Sequence, residues 1–174
     1  MSVHVTLTPG EVWLANKASE VREIQNVNCK NNPAYKESKM ESESIAGPRS
    51  IQCEMAVAKW LDAHYYFPYQ SPEHREQQHP DVGYAIEVKR IRSEGCGPTI
   101  QKKDKGKIVV GARCDKDGEV EIVGYTFANK LENFKKIEGR YSPFYSCPPN
   151  HPLFRTPDRE GILNTEEWIK AISR

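Results

Sequence analysis

The chain has 174 residues, with 25 Lys and Arg against 24 Asp and Glu, a net charge of +1 and a hydrophobic fraction of 37%. That length suits one domain with a real core and leaves little room for a second. No stretch approaches the roughly 18 consecutive apolar residues of a membrane helix, and five cysteines without CxxC spacing argue against a zinc knuckle or a complete disulfide framework.

The opening MSVHVTLTPGEVW has no basic region followed by an apolar stretch, so no secretory signal is expected and a reducing cytoplasm is the default. Thr8-Pro9-Gly10-Glu11 forms a capping-box pattern, with Val12, Ala15, Ala18, Val21 and Ile24 following at helical spacing, which predicts a helix over 9–26. The polar segment from about 26 to 46 shows no apolar period and reads as a long loop or arm. A second helix is expected over 48–64. There Ile51, Val57, Ala58 and Leu61 share a face with Glu54, so this carboxylate points into the apolar side of its own helix. An ionised carboxylate in that position needs a partner, either a metal or an arginine such as Arg22 or Arg49.

Residues 66–80 form a Pro-rich connector carrying His74 and His79. With His64 these suggest a zinc site, but their irregular gaps fit surface histidines better. Strands are predicted at 85–91, 107–114 and 119–127, the last two joined by a hairpin turn ending at Gly118, and a short helix near 128–135 follows. The segment from about 141 to 160 carries too many prolines for a helix or central strand and should run extended over the surface. A last helix is expected over 165–173, capped by the Asn164–Glu167 pattern and docked through Trp168, Ile169 and Ile172. This order predicts an α/β fold with α+β character: a mixed central sheet flanked by helices.

The chemistry concentrates in HPDVGYAIEVKR, residues 79–90. Glu87 and Lys89 share one face of a strand while Ile86 and Val88 fill the other, and an ordinary salt bridge would account for the pair. Along a straight strand Asp81 would lie about 20 Å from Glu87, at about 3.3 Å per residue. Gly83 tolerates the positive φ of a tight turn. If Gly83, Tyr84 and Ala85 form a three-residue connection, Val82 pairs with Ile86 and Asp81 sits across from Glu87, with their Cβ atoms about 5 Å apart. Two such carboxylates repel unless a cation lies between them, and hard oxygen ligands select Mg²⁺, with Mn²⁺ able to substitute. Lys89 beside them would orient a bound water or neutralise developing charge, a set suited to metal-assisted phosphodiester hydrolysis. From Lys89 to Arg113 cations outnumber acids eight to two, which fits a phosphate-backbone partner as well as a solvated loop.

Pro80-Asp81, five residues, then Glu87-Val88-Lys89 resembles the core motif of the PD-(D/E)XK nuclease superfamily. CEMAVAKWL, with Glu54, looks like the glutamate-bearing helix that precedes it in many members, and IVVGARC and EVEIVGYTF look like later core strands of small phage-encoded members. The resemblance covers roughly residues 47–131. It implies a restriction-endonuclease-like core and a metal-dependent deoxyribonuclease. Asp81, Glu87 and the Val88 carbonyl would be metal ligands, Lys89 the catalytic lysine, and Glu54 a catalytic carboxylate in a second or outer metal position. Arg90, Arg92, Lys102, Lys103 and Lys105 would contact DNA. It also implies host cytoplasm if phage-encoded, and leaves a homodimer open. Gln101 is only a weak match to the Gln-bearing helix of exonuclease-like members. Two other readings compete: a nucleic-acid-binding or assembly protein that keeps the fold without activity, and a cysteine hydrolase using Cys53 or Cys96, for which no triad spacing is present.

Overall fold

The computed structural model describes residues 1–27, 43–67, 79–139 and 142–174. Among the described residues the fold has two sheets and three α-helices. The larger sheet has strand order β1-β5-β4-β2, from β1 (Val3–Thr6), β2 (Ile86–Arg90), β4 (Ile108–Lys116) and β5 (Glu119–Phe127). β2 runs parallel to β4 while the other pairs are antiparallel, so the sheet is mixed, as the sequence predicted. A parallel pair needs a long crossover, supplied by residues 91–107. These hold β3 (Thr99–Ile100) and one 3₁₀ turn (Lys102–Asp104).

The hairpin between β4 and β5 closes on Asp117-Gly118, with Gly118 at φ 81°, as the turn chemistry demands. β1 was not foreseen, nor was the second sheet, of order β3-β7-β6, from β6 (Lys135–Ile137) and β7 (Phe144–Ser146). The expected helix at 128–135 is a single 3₁₀ turn, Leu131–Asn133, leading into β6. Leu131 and Phe134 anchor it in a small cluster with Ile100, Val109, Ala128 and Cys147. The Pro-rich tail likewise joins sheets where surface wrapping was expected: β7 pairs with β3 and β6, and Arg155 bridges to Tyr125.

Helix α1 (Pro9–Val27) matches its prediction and buries Ala15 and Ala18, but Ile24 lies outside the docking stripe at 63% exposure. Helix α2 (Glu43–Leu61) starts before Pro48, so the end of the presumed polar arm is helical; residues 28–42 of that arm lie outside the described residues. Pro48 falls early enough to forgo only one helical bond. The helix stops at Leu61, short of the expected His64, because Asp62 adopts φ 54° and Ala63 N–H returns to the Ala58 carbonyl, a left-handed cap that Asp tolerates.

Every residue of α2 from Ile51 to Ala58 is buried. The helix lies on the sheet face that carries Ile86, Val88, Ile108, Val110, Ala112 and Cys114, alternate positions of β2 and β4. Each large aliphatic side chain buried there contributes about 1.5–3 kcal/mol. Gln52 fixes the helix along its axis, its Oε1 accepting from Gly118 N–H at 2.7 Å.

Helix α3 (Arg159–Ile172) is longer than predicted. Its cap is Asp158, which accepts from Gly161 N–H at 3.0 Å; the Thr165 hydroxyl of the presumed capping box instead donates to the Gly161 carbonyl inside the helix. Its docking face is Ile162, Glu166 and Ile169, whereas Trp168 and Ile172 are 50% and 62% exposed. Among the described residues no helix is long and apolar enough to cross a membrane.

Candidate active site

The turn before β2 has the connection length that the sequence argument required. Val82 and Ile86 exchange both backbone hydrogen bonds, at 3.1 and 3.2 Å, around Gly83-Tyr84-Ala85, and Gly83 sits at φ 58°. Continuing that register brings Asp81 level with Glu87 at the outer edge of β2. On its other side the segment is tied to residues before the connector: Tyr66 N–H donates to the Asp81 carbonyl and Gly83 N–H to that of His64.

Backbone direction follows from the same pairing. In β2 the N–H and C=O of one residue point to the same edge, and edges alternate. Ile86 bonds outward to Val82, so Val88 also faces outward. Its N–H donates to Asp81 Oδ2 at 2.8 Å, which leaves its carbonyl directed along the edge that Asp81 occupies.

Four carboxylates and three cations meet around this edge. Glu87, 5% exposed, accepts from Lys107 Nζ at 2.5 Å and lies 3.6 Å from Lys89 Nζ. Lys89 donates to Asp104 at 3.1 Å, and Asp104, fully buried, also accepts from Gln101 N–H at 2.7 Å. Glu54, on α2, is held by Arg22 of α1 at 3.2 Å and by the Tyr65 hydroxyl at 2.9 Å. With Arg22, Lys89 and Lys107 protonated, the cluster carries one negative charge too many when Asp81 is ionised.

Asp81 bears that excess. Burial, then the neighbouring Glu54 and Glu87, push its carboxyl up to about 8, against the opposing Val88 N–H and Lys89. Of the two acids that raise it, Glu54 stands on α2 and Glu87 on β2. Burial alone would lower the Lys89 ammonium, but Asp104, Glu87 and Asp81 outweigh it and hold it above its ordinary value. Lys89 is therefore a cation here, suited to stabilising charge or orienting a water and unsuited to removing a proton. Burial and Glu54 push the Tyr65 hydroxyl up, keeping it a donor.

Among the described residues no three His, Cys, Asp or Glu side chains are gathered closely enough to hold a metal ion. Glu54 and Glu87 are turned to their own cations. The donor chemistry nevertheless fits a hard divalent ion at one place: the Val82–Ile86 register directs Asp81 toward Glu87, the Val88 carbonyl faces the same edge, and the excess charge is one that a cation would neutralise.

Comparison of the chain with family models, curated proteins and solved structures returns no match.

The sequence-predicted residues thus divide. Asp81, Glu87, Lys89, Val88 and Glu54 converge on one edge. Arg92, Lys102, Lys103 and Lys105 are exposed on the crossover, the three lysines flanking Asp104, the partner of Lys89. Arg90 points by strand alternation to the opposite face and donates to the Cys114 carbonyl at 3.3 Å. Cys53 is fully buried and burial pushes its thiol well up, which suits a core side chain and not a nucleophile. His64 packs edge-on with Tyr66 and His79 stacks with it, with centroids at 4.4 and 5.4 Å; His74 lies outside the described residues.

Sequence reasoning missed the roles of Asp104, Lys107 and Tyr65. Asp104 had one visible signal, a lone acid within KKDKGK. Lys107 had none, because its place depends on the parallel register of Ile86 with Ile108.

Proposed function

We propose that the protein is a divalent-metal-dependent endonuclease that hydrolyses DNA phosphodiester bonds, with a restriction-endonuclease-like core of the PD-(D/E)XK type, acting in the cytoplasm. One observation carries this reading: the three-residue turn at Gly83 that sets Asp81 across from Glu87, with Lys89 on the Glu87 face. Asp81, Glu87 and the Val88 carbonyl would hold Mg²⁺ or Mn²⁺, with Glu54 in a second or outer metal position. The ion, when bound, supplies Lewis-acid chemistry that lowers the pKa of a coordinated water. Lys89, kept protonated by Asp104 and Glu87, stabilises the charge that develops on the attacked phosphate. Arg92, Lys102, Lys103 and Lys105 hold the backbone beside it.

A second reading has its own support. Lys107 on Glu87 and Arg22 on Glu54 already neutralise two of the carboxylates, as in a nucleic-acid-binding protein that keeps the fold without catalysis. Cleavage of plasmid and branched DNA with Mg²⁺ or Mn²⁺ separates the two. The nuclease reading expects metal-dependent cleavage that Lys89→Ala and Asp81→Asn each abolish. Undiminished cleavage by either variant defeats the residue assignment, and DNA binding without cleavage selects the second reading.

A further inference from the structure

Glu166, on α3, lies far along the chain from the candidate site, outside the stretch that resembles the nuclease core. It occupies the middle of the helix's docking face, four residues after Ile162 and three before Ile169, and is 5% exposed. A carboxylate placed there is costly unless its oxygens accept hydrogen bonds. Oε1 accepts two, from Tyr84 N–H at 2.5 Å and from Ala85 N–H at 3.1 Å.

These two amides belong to the connection that brings Asp81 across from Glu87. With them, every amide from Val82 to Ile86 has a partner: Val82 and Ile86 each other, Gly83 the His64 carbonyl, Tyr84 and Ala85 the carboxylate. The fit is close. Gly83 sits at φ 58°, which favours glycine, and a Cβ added there would come within 2.5 Å of Glu166 Oε1 and displace the carboxylate from its present seat. The same helix also grips the end of the helix that carries Glu54, since Arg159 donates to the carbonyls of Trp60 and Leu61 at 3.2 and 3.0 Å. α3 therefore touches both segments whose relative placement defines the acidic edge.

We infer that Glu166 is a positioning residue of this site: its carboxylate fixes the Gly83-Tyr84-Ala85 turn, and through it the spacing of Asp81 and Glu87 that sets how tightly they hold a divalent cation. The inference rests on the metal-site reading above. Removing the acceptor would leave two turn amides unsatisfied and let the connection relax toward other turn geometries, which move Asp81 relative to Glu87.

The test compares Glu166→Leu, which deletes the acceptor, with Glu166→Gln, whose amide oxygen can still accept from both N–H groups. Each full-length protein is titrated with Mn²⁺ by calorimetry, and its thermal midpoint is measured separately. The expected result is a Kd for Mn²⁺ at least tenfold weaker in folded Glu166→Leu and within about threefold of wild type in Glu166→Gln. Glu166→Asp, one methylene short of the turn, carries the same expectation of weakening should the leucine variant not fold. Wild-type Mn²⁺ affinity in a folded leucine or aspartate variant overturns the positioning role while leaving the metal site standing. A wild-type chain that binds no Mn²⁺ overturns the metal reading itself and this inference with it.

Discussion

Lys107 Nζ sits 2.5 Å from Glu87 Oε1, so the carboxylate that would hold a metal ion is already held by a cation of the chain itself. Both groups are largely buried, their side chains 18% and 6% exposed. Removing Lys107 leaves Glu87 with only Lys89, at 3.6 Å, so the loss is that of one charged hydrogen bond, about 1.5–3 kcal/mol, and not that of a stranded buried charge. Lys107→Met should lower the stability of the metal-free protein by about that amount in urea denaturation. Because a competing cation has gone, it should also bind Mn²⁺ more tightly. A variant with weaker Mn²⁺ binding would mean that Lys107 does not compete with the ion.

The raised carboxyl of Asp81 makes stability depend on pH. Its pKa in the unfolded chain is the ordinary 3.8, and in the folded protein burial, Glu54 and Glu87 lift it to about 8. Between those values the native state binds the extra proton, so the contribution is complete below pH 4, declines as pH rises and is lost above about 8. Thermal midpoints should therefore fall from pH 5 to pH 9 in EDTA, and Mg²⁺ should offset the fall most at the alkaline end. Asp81→Asn, which carries no charge at any pH, should flatten the profile and abolish the Mg²⁺ effect. A wild-type profile as flat as that of the variant would contradict the assigned shift.

Glu54 tests whether a buried carboxylate serves structure, chemistry or both. Arg22 and Tyr65 hold it between α1 and α2, with the Glu54 side chain 8% and Arg22 26% exposed. Arg22→Met should cost about 2–3 kcal/mol in denaturant unfolding, since it strands the charge. The double variant Arg22→Met, Glu54→Gln should recover most of that loss, because the amide still accepts from Tyr65 without needing a cation. If the double variant is no more stable than the single one, the pair is not what holds the two helices together.

The acidic edge was legible in the sequence because its logic is local. Gly83 permits the turn, strand alternation puts Glu87 and Lys89 on one face, and helical spacing shows Glu54 lying among Ile51, Val57 and Leu61. What could not be read depends on segments that meet only after folding. Lys107 reaches Glu87 through a parallel register, and Tyr65 reaches Glu54 through its bridge to Val82. β6 and β7 are three residues each and form only because they pair with each other and β3. Two misses were local all the same. Pro157-Asp158 precedes α3 as a start signal that the later Asn164 pattern obscured. Glu166 stands in an apolar stripe as Glu54 does, and the same spacing argument would have singled it out.

The basic crossover offers a prediction that does not depend on cleavage. Lys102, Lys103 and Lys105 are exposed beside Asp104 in the chain, whose buried carboxylate binds Lys89 at 3.1 Å; the proposed function has them hold the DNA backbone. Lysines that neutralise phosphates release counterions, and each contact adds about 0.9 to the slope of log affinity against log salt on duplex DNA. Replacing all three with alanine should make that slope shallower by about 2.7, weakening binding across unrelated DNA sequences alike. Lys17→Ala is the control, since Lys17 lies on α1 in an exposed pair with Glu20 at 3.0 Å. Fluorescence anisotropy in EDTA, over a range of KCl concentrations, measures both slopes without cleavage. An unchanged slope in the triple variant would place the DNA elsewhere on the protein, even if the acidic edge binds metal as proposed.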